Sequence, residues 1–308
     1  MEAAAQDVIF DAGPGPAGEL TRAVERGQIV RYARCPFPLP PEDDLRALRE
    51  VSQSLLKRKN LSYYPDADRL KGAKGDPTAA ARVHGILREH SRRVRAFLEQ
   101  ELPALAPGWT VGTSSFRPLQ ERGRDLKAHA SNELVHVDAG AYGATHGDRI
   151  LRFFVNISPQ EPRVWATRGT FSELYARYGE RAQVAPPAQF RLKEGPWDRA
   201  RSGALGWLSR HGLPMARVLD SSPYDRAMRR FHNFMKDDPG FRDGKDGYQE
   251  VAFEPGSAWM VLTDTRSHAC VSGQFALVDT FLIPLRNCQV PEVAPYHVLQ
   301  GGPRPARP

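Results

Sequence analysis

Two copies of a His-any-Asp pattern stand close together in the middle of the chain. They are His136 with Asp138 and His146 with Asp148. Imidazole and carboxylate groups are common ligands of transition-metal ions, so either pair could be half of a metal site. Such pairs also arise by chance in a chain with 9 His and 36 acidic residues. The sequence around each pair must therefore decide between them.

The first pair lies in a predicted strand at 133–140, with the sequence ELVHVDAG. On a strand, residues i and i+2 point to the same face, so the side chains of His136 and Asp138 converge. They would supply two ligands of the 2-His-1-carboxylate triad of non-haem Fe(II) oxygenases. The second pair lies in GATHGDR, which predicts a loop that fixes neither side chain. We therefore favour the first pair; the structural alternative is a core histidine bonded to a nearby carboxylate.

The triad needs a second histidine from elsewhere in the chain. The best candidate is His268, in a strand-rich segment at 255–285 that begins with a Pro-Gly turn. His232 is the rival, but it lies in a predicted helix, where a packed or exposed histidine is the more usual finding.

The composition is that of an ordinary globular protein with a basic excess. Hydrophobic residues make up 41%, charged residues 26%, and the net charge is +7 over 308 residues. The three cysteines form no CxxC motif, which argues against a disulfide framework or a thiolate zinc site and fits a reducing compartment. No apolar run is long enough to span a membrane, and the N-terminus lacks a secretory signal pattern. The charge fits an anionic partner and fits equally a solvated surface that is basic without a partner, and no stripe of alternating aromatic and basic residues indicates nucleic acid.

The pattern of predicted elements changes near residue 105. Amphipathic helices are predicted at 42–59 and 78–102. A helical insertion is predicted at 171–240. Short β-rich segments predict strands at 109–120, 133–140, 149–158, 248–255, 257–264 and 276–285. Many short strands without regular βαβ alternation indicate a sandwich or barrel rather than a doubly wound sheet.

Several longer stretches resemble a known family. The H-x-D motif, the long insertion and a distal histidine on a segment that begins Pro-Gly-Ser resemble the Fe(II)/2-oxoglutarate-dependent dioxygenase superfamily. More narrowly, the chain resembles the Kdo 3-hydroxylases, where Kdo is 3-deoxy-D-manno-oct-2-ulosonic acid. The stretches that carry the resemblance are KRKNLSYYPDADRLKG, FRPLQERGRDLKAHASNELVHVDAGAYGATHGDRILRFFVNISPQEPRVW, FHNFMKDD and PGSAWMVLTDTRSHACVSGQFALVDTF. Together they span most of 57–281.

The resemblance implies a mainly β fold. Its core would be a double-stranded β-helix of the jelly-roll or cupin-like kind, with N-terminal helices and a helical insertion. The chain, 1–308, would be a single dioxygenase domain. Its parts would be a helical part at 1–105, a β core at 106–170 and 245–290, and the insertion at 171–240. Within it, His136, Asp138 and His268 would bind Fe(II), with 2-oxoglutarate and O2 as cosubstrates.

The far carboxylate of 2-oxoglutarate needs a cation, and a guanidinium suits it because it can pair bidentately. In many relatives an arginine shortly after the distal histidine fills this role, but here ACVSGQFALVDTF has no basic residue. Arg152 is the first candidate, because an arginine within a strand is costly to bury without an anion. Arg117, Arg163 and Trp165 complete a predicted basic pocket shared by 2-oxoglutarate and an acidic substrate.

The implied reaction is hydroxylation at the 3-position of Kdo in Kdo2-lipid A, an anionic glycolipid of lipopolysaccharide biosynthesis. The implied location is cytoplasmic, or peripheral at the inner face of the inner membrane. A basic face could meet the glycolipid or an anionic leaflet through Lys57, Arg58, Lys59, Arg92, Arg93 and Arg95. Two alternatives stay open: a 2-oxoglutarate oxygenase for another anionic small molecule or glycan, and a non-catalytic glycan-binding β-sandwich. The sequence decides neither the oligomeric state nor whether 171–240 acts as a lid.

Overall fold

The structure is a computed structural model. It describes residues 8–301 except for positions 14, 17, 58, 124–127, 129–130, 142, 185–196, 198–199, 201–203 and 205–220. The helices are α1 (Glu19–Glu25), α2 (Glu42–Leu55), α3 (Pro77–Glu101), α4 (Phe171–Tyr178), α5 (Pro223–Asp237), α6 (Pro239–Arg242) and α7 (Pro295–Leu299). The strands are β1 (Ile9–Asp11), β2 (Ile29–Tyr32), β3 (Leu61–Tyr64), β4 (Arg69–Lys71), β5 (Thr110–Arg117), β6 (Arg149–Asn156), β7 (Arg163–Thr167), β8 (Gln249–Phe253), β9 (Ala258–Leu262), β10 (Ala269–Ser272) and β11 (Ala276–Ile283).

The strands form two sheets. The larger has eight strands in the order β1-β2-β9-β6-β11-β5-β3-β4, and the smaller has three in the order β10-β7-β8. Only the β1–β2 pairing is parallel among the ladders that the structure describes. All eight residues of β11 are buried, and this strand pairs with β5 on one side and β6 on the other. A run as apolar as ALVDTFLI is suited to such a central position.

One face of the large sheet is covered by helix α3. The helix starts where Asp76 caps it, accepting a hydrogen bond from the backbone N–H of Thr78 at 2.8 Å, with Pro77 in the first turn. Its apolar stripe is buried as predicted, at Val83, Ile86, Leu87, Val94 and Leu98. The stripe belongs to a core cluster that includes inward residues of the large sheet such as Phe116 and Phe153.

The other face of the large sheet meets the small sheet through aromatic rings. Phe253 of β8 stacks on Trp259 of β9 with ring centroids 3.8 Å apart. Trp165 of β7 meets Phe154 of β6 edge-on at 4.7 Å. This interface holds the two sheets face to face, and the candidate site lies at its edge.

Helix α5 closes the site from outside the sheets. Ser222 and Asp225 form a reciprocal capping box at its start, with Pro223 in the first turn. Its apolar side, including Phe231 and Met235, packs in a cluster that also contains Val137. The segment that carries the His-any-Asp pair is thereby held between α5 and the large sheet.

Most predicted strands are confirmed, with two corrections. Residues 133–140 do not form a ladder strand; the segment makes one isolated bridge, between His136 and His268. The N-terminal part is not only helical, because β1 to β4 form both edges of the large sheet. These strands have only three or four residues each, too few for a periodic pattern to reveal.

The coarse prediction of a β body with added helices is confirmed, but helices take a larger share than a mainly β fold implies. Of the predicted insertion, α4, α5 and the start of α6 are described. The part of the predicted insertion at 185–220 lies almost entirely outside the described residues. No described helix combines the length and apolar character that a membrane span requires.

Candidate metal centre and cosubstrate pocket

The three predicted metal ligands come together in space. His136 and His268 exchange both backbone hydrogen bonds, at 3.0 and 2.8 Å, and the N–H of Asp138 donates to the carbonyl of Thr263 at 2.8 Å. One nitrogen or oxygen atom from each of the three side chains lies within 4.8 Å of the other two. The extended backbone from 136 to 138 places both side chains on one side, as the i, i+2 argument requires.

Each histidine has a fixed ring orientation. Nδ1 of His136 lies 2.7 Å from the carbonyl oxygen of Leu134. Nδ1 of His268 lies 3.1 Å from the carbonyl oxygen of Arg266. A carbonyl can only accept, so each Nδ1 carries the hydrogen and each Nε2 keeps a lone pair. This is the arrangement that orients a metal-binding imidazole.

The protonation of the three groups suits metal binding. Burial lowers the pKa of His136, and lowers that of His268 to about 4. Burial alone would raise the pKa of Asp138, but the charge of Arg152 and the two histidines outweigh it, and that pKa lies well below its usual range. At neutral pH the cluster is therefore two neutral imidazoles and one carboxylate, the forms that bind a metal ion.

All four predicted pocket residues lie beside this cluster. They and the three cluster residues line one cavity of about 60 Å³, whose lining is Arg117, Asn132, His136, Asp138, Arg152, Phe154, Arg163, Trp165, His268 and Cys270. The sequence put Arg152 first among the three arginines as the partner of the far carboxylate of 2-oxoglutarate, and the partners that the structure gives each arginine favour Arg117 instead.

Arg152 and Arg163 already have carboxylate partners. Nε of Arg152 donates to Oδ2 of Asp138 at 2.9 Å, so it holds the carboxylate whose other oxygen lies 3.7 Å from Nε2 of His136. The fully buried guanidinium of Arg163 reaches Oε1 of the buried Glu121 at 3.4 Å.

Arg117 differs from both. It ends β5, and its Nε is buried without a hydrogen-bond partner. Its guanidinium carbon lies 6.0 Å from the centre of the Phe154 ring. Burial, followed by the charges of Arg152 and Arg163, lowers its pKa to about 10. A guanidinium whose buried Nε has no hydrogen-bond partner in the described part of the chain is costly, and an anion in the cavity would relieve that cost.

Trp165 forms one wall of the cavity. Its ring stacks on His268 with centroids 5.3 Å apart and an interplanar angle of 23°. Its Nε1 is buried without a hydrogen-bond partner, as is Nε of Arg163. The cavity thus presents unsatisfied donors from three of the four predicted pocket residues.

The second His-any-Asp pair stays outside this cluster. His146 adopts a left-handed conformation, with φ 53°, in a turn. Asp148 accepts a hydrogen bond from the N–H of Leu285 at 3.2 Å. The choice of the first pair agrees with the geometry, because only its side chains join the described metal-ligating cluster.

The sequence analysis missed several neighbours of the cavity. His232, considered only as a rival ligand, stacks edge-on against His136 with centroids 5.0 Å apart, and its Nδ1 lies 2.7 Å from the carbonyl oxygen of Val137. Lys236 donates to the carbonyl of Ser131 at 3.0 Å. The i, i+4 spacing of these two residues on a predicted helix was a signal that they share a face. Glu121, Asn132 and Cys270 gave no such signal.

Comparisons with known proteins agree with this geometry. The family model described as 3-deoxy-D-manno-oct-2-ulosonic acid (Kdo) hydroxylase matches residues 12–301. The apo structure of the Kdo hydroxylase KdoO, a non-haem Fe(II) α-ketoglutarate-dependent dioxygenase, is 26% identical, with a TM-score of 0.76 and 95% of each chain covered. The same values hold for KdoO in complex with α-ketoglutarate and Fe(III). KdoO with cobalt(II) is 27% identical, with a TM-score of 0.76 and coverage of 95% of this chain and 94% of that chain. Comparison with curated proteins gives no match.

Proposed function

The chain belongs to the Kdo hydroxylase family, and on this premise we propose that it hydroxylates the 3-position of Kdo in Kdo2-lipid A. Its class is that of an Fe(II)/2-oxoglutarate-dependent dioxygenase acting on Kdo, with iron, 2-oxoglutarate and O2 as its requirements. The lipid A context is the finer step and belongs to the proposal. A non-catalytic glycan-binding module, one of the alternatives from the sequence, does not fit membership in a family of enzymes.

The observation that carries the proposal is the meeting of two sets of groups in one cavity. His136, Asp138 and His268 offer one face of lone pairs. Beside them, Arg117 and Trp165 keep buried N–H groups without partners. Iron fits the first set, because two imidazoles and one carboxylate are the ligands of the facial triad. A dicarboxylate fits the second, because it would accept those hydrogen bonds.

Each side chain then has a definable task. The triad holds the iron, which supplies the redox chemistry that couples oxidative decarboxylation of 2-oxoglutarate to hydroxylation. Arg152 keeps the Asp138 carboxylate in place by donating a hydrogen bond from its Nε to Oδ2 of Asp138. We assign the far carboxylate of 2-oxoglutarate to Arg117, which among the three arginines is the one without a carboxylate partner in the described part of the chain. Arg163 and Trp165 complete its binding wall, and Trp165 also fixes the ring of His268.

The proposal extends to the architecture. The two facing sheets would be the two halves of a double-stranded β-helix of the jelly-roll or cupin-like kind. Residues 1–308 would form a single dioxygenase domain around it. Contact with an anionic membrane surface at the inner leaflet is the corresponding proposal for the location of the enzyme. Partition onto anionic vesicles at low salt tests that contact.

An anaerobic titration tests the metal and the cosubstrate together. Fe(II) and then 2-oxoglutarate are added, and the visible metal-to-ligand charge-transfer band is recorded. The band should appear in the wild type and in His146→Ala but not in His136→Ala. If His136→Ala kept the band, or if His146→Ala lost it while remaining folded, the assignment of the first pair would be wrong.

The substrate needs its own assay. Kdo2-lipid A is incubated with the enzyme, Fe(II), 2-oxoglutarate and O2, and mass spectrometry should show one added oxygen on the Kdo unit. A product oxidised only on the lipid, or 2-oxoglutarate consumption without sugar oxidation, would argue for a different substrate.

A further inference from the structure

An open groove lies at the β3–β4 end of the large sheet. Its volume is about 530 Å³, against about 60 Å³ for the metal cavity. Its lining residues are Lys57, Lys59, Asn60, Ser62, Tyr64, Lys71, Gly72 and Ala73. Three of the eight are lysines and none is acidic, so these eight described residues present only positive formal charge to an anion that enters the groove.

The register of the strands places the groove on the same face of the sheet as the cosubstrate pocket. Ser62 pairs with Lys71 on one side and with Ser115 on the other. The hydroxyl oxygens of Ser62 and Ser115 lie 2.8 Å apart, so their side chains share a face. Arg117 is two residues beyond Ser115 on β5 and points to that same face. Lys71 therefore stands two strand spacings, about 10 Å, across the sheet from the strand that carries Arg117.

The positive charge continues from the groove to the metal site. Burial, with a smaller contribution from the charge of Lys59, lowers the pKa of Lys236 to about 8. Lys236 in turn acts electrostatically on Asp138 and His136. Lys71 has a defined position, because its Nζ lies 4.4 Å from the centre of the Tyr64 ring.

The other basic residues singled out in the sequence are not comparable. Arg92, Arg93 and Arg95 form ion pairs with glutamates of the same helix, α3, which covers the opposite face of the large sheet. Arg58 lies outside the described residues. The basic surface on the same face as the site is thus the lysine groove. Lys57 and Lys59 were predicted from the sequence to belong to a basic surface, whereas Lys71 was not.

The metal cavity and the groove differ in size. Pockets for ligands of ordinary size have about 300–1,000 Å³, and the cavity of about 60 Å³ lies below that range. The groove falls within that range. We propose that it binds a phosphate or carboxylate group of the substrate, on a part of the molecule remote from the sugar that reacts. The proposal rests on the proposed function and adds to it the place where the rest of the substrate is held.

Equilibrium binding tests the groove without turnover. The enzyme is loaded anaerobically with Fe(II) and 2-oxoglutarate, and Kdo2-lipid A in detergent micelles is titrated while the charge-transfer band is followed. The same titration is done with glycolipid from which the phosphates have been removed. The variants are Lys57→Gln, Lys71→Gln, the double variant and the charge-preserving Lys71→Arg. Lys245→Gln is the matched control, because Lys245 also lies over a tyrosine ring, at 4.2 Å from that of Tyr248, but lines no part of the groove.

Each neutralised lysine should raise the Kd for Kdo2-lipid A about fivefold, since one basic residue near an anionic surface contributes about 1 kcal/mol. The Kd of the double variant should be about 25-fold above the wild-type value if the two lysines act independently. The Kd values of Lys71→Arg and Lys245→Gln should stay within about twofold of the wild-type Kd.

The two glycolipids identify the source of the anion. If the loss disappears with the dephosphorylated glycolipid, the groove binds phosphate; if the loss persists, it binds a sugar carboxylate. Both results support the proposal. If the double variant binds Kdo2-lipid A with the wild-type Kd, the proposal for the groove is wrong, whereas the proposed function is unaffected. If the wild type forms the band but responds to neither glycolipid, the proposed substrate is wrong and the groove proposal fails with it.

Discussion

Substitution of Arg117 by methionine should have opposite effects on stability and on cosubstrate binding. Its Nε is buried without a partner, and burial with the neighbouring arginines lowers its pKa to about 10. A lowered pKa on a basic group means that the charged form is destabilised by folding at neutral pH. For this half-buried side chain the cost is on the order of 1–3 kcal/mol.

Arg117→Met should therefore stabilise the apoprotein by about 1–2 kcal/mol, which corresponds to a rise in melting temperature of about 2–3 °C for a chain of 308 residues. The same change removes a charge-assisted pair with 2-oxoglutarate, worth about 1.5–3 kcal/mol. The Kd for 2-oxoglutarate in the Fe(II) enzyme should then rise about 10–100-fold. Thermal unfolding of the apoprotein and the charge-transfer titration measure the two effects separately.

Arg163→Met is the matched comparison from the same cavity. Its guanidinium is paired with Glu121, which is itself buried and also held by the amide of Asn132 at 3.2 Å. Removal of Arg163 leaves that carboxylate without its cation and should destabilise the apoprotein by about 3 kcal/mol. The reasoning is refuted if Arg117→Met lowers the melting temperature as Arg163→Met does, or if it binds 2-oxoglutarate as the wild type does.

Three further changes test the surroundings of the site. Arg152→Gln loosens the Asp138 carboxylate, so iron affinity should fall about 10–100-fold in a competition titration with a chelator, and an unchanged affinity would remove its positioning role. Lys236→Gln tests the pKa of Lys236, which is lowered to about 8 in the folded protein from an ordinary value of 10.5. Between these two values the unfolded chain binds more protons than the folded protein, so the free energy of unfolding of the wild type should rise relative to that of the variant from pH 7 to 10. If urea unfolding gave the same pH dependence of the free energy of unfolding for both proteins, this prediction would be wrong. Asp225→Ala removes one half of the capping box of α5, the carboxylate that accepts a hydrogen bond from the N–H of Ser222. The same carboxylate accepts hydrogen bonds from Thr145 N–H and Oγ1 at 2.7 and 3.0 Å, so the free energy of unfolding should fall by about 3 kcal/mol. A loss below 1 kcal/mol would show that the loop and the helix start are held by other contacts.

Local pattern was sufficient for the parts of the site that are close in sequence. His136 and Asp138 are two residues apart, and any extended backbone places such side chains on one side. The prediction of their convergence is confirmed even though the segment is a single bridge rather than a strand. The apolar stripe of α3 and the strands β5, β6, β9 and β11 were predictable for the same reason, because periodicity is a local property.

The strand pattern nominated His268 as the second histidine, but local pattern could not show that it meets the metal pair. His268 lies far along the chain from His136, and no spacing rule ties the two together. Their backbones pair directly in the folded protein, which is a property of the sheet arrangement. The gathering of Arg117, Arg152 and Arg163 in one cavity likewise depends on strands that are neighbours in space.

The tertiary structure alone decided which groups have partners. An arginine in a sequence carries the same charge wherever it stands, but its role depends on the carboxylates around it. Arg163 has Glu121, Arg152 has Asp138, and Arg117 has no carboxylate partner among the residues that the structure describes. The groove at Lys71 depends in the same way on the pairing of β4 with β3 and of β3 with β5. The sequence by itself determined the residue types and the local geometry of the metal pair, whereas burial and pairing, which fix the energy of each charge, arose only when distant strands came together.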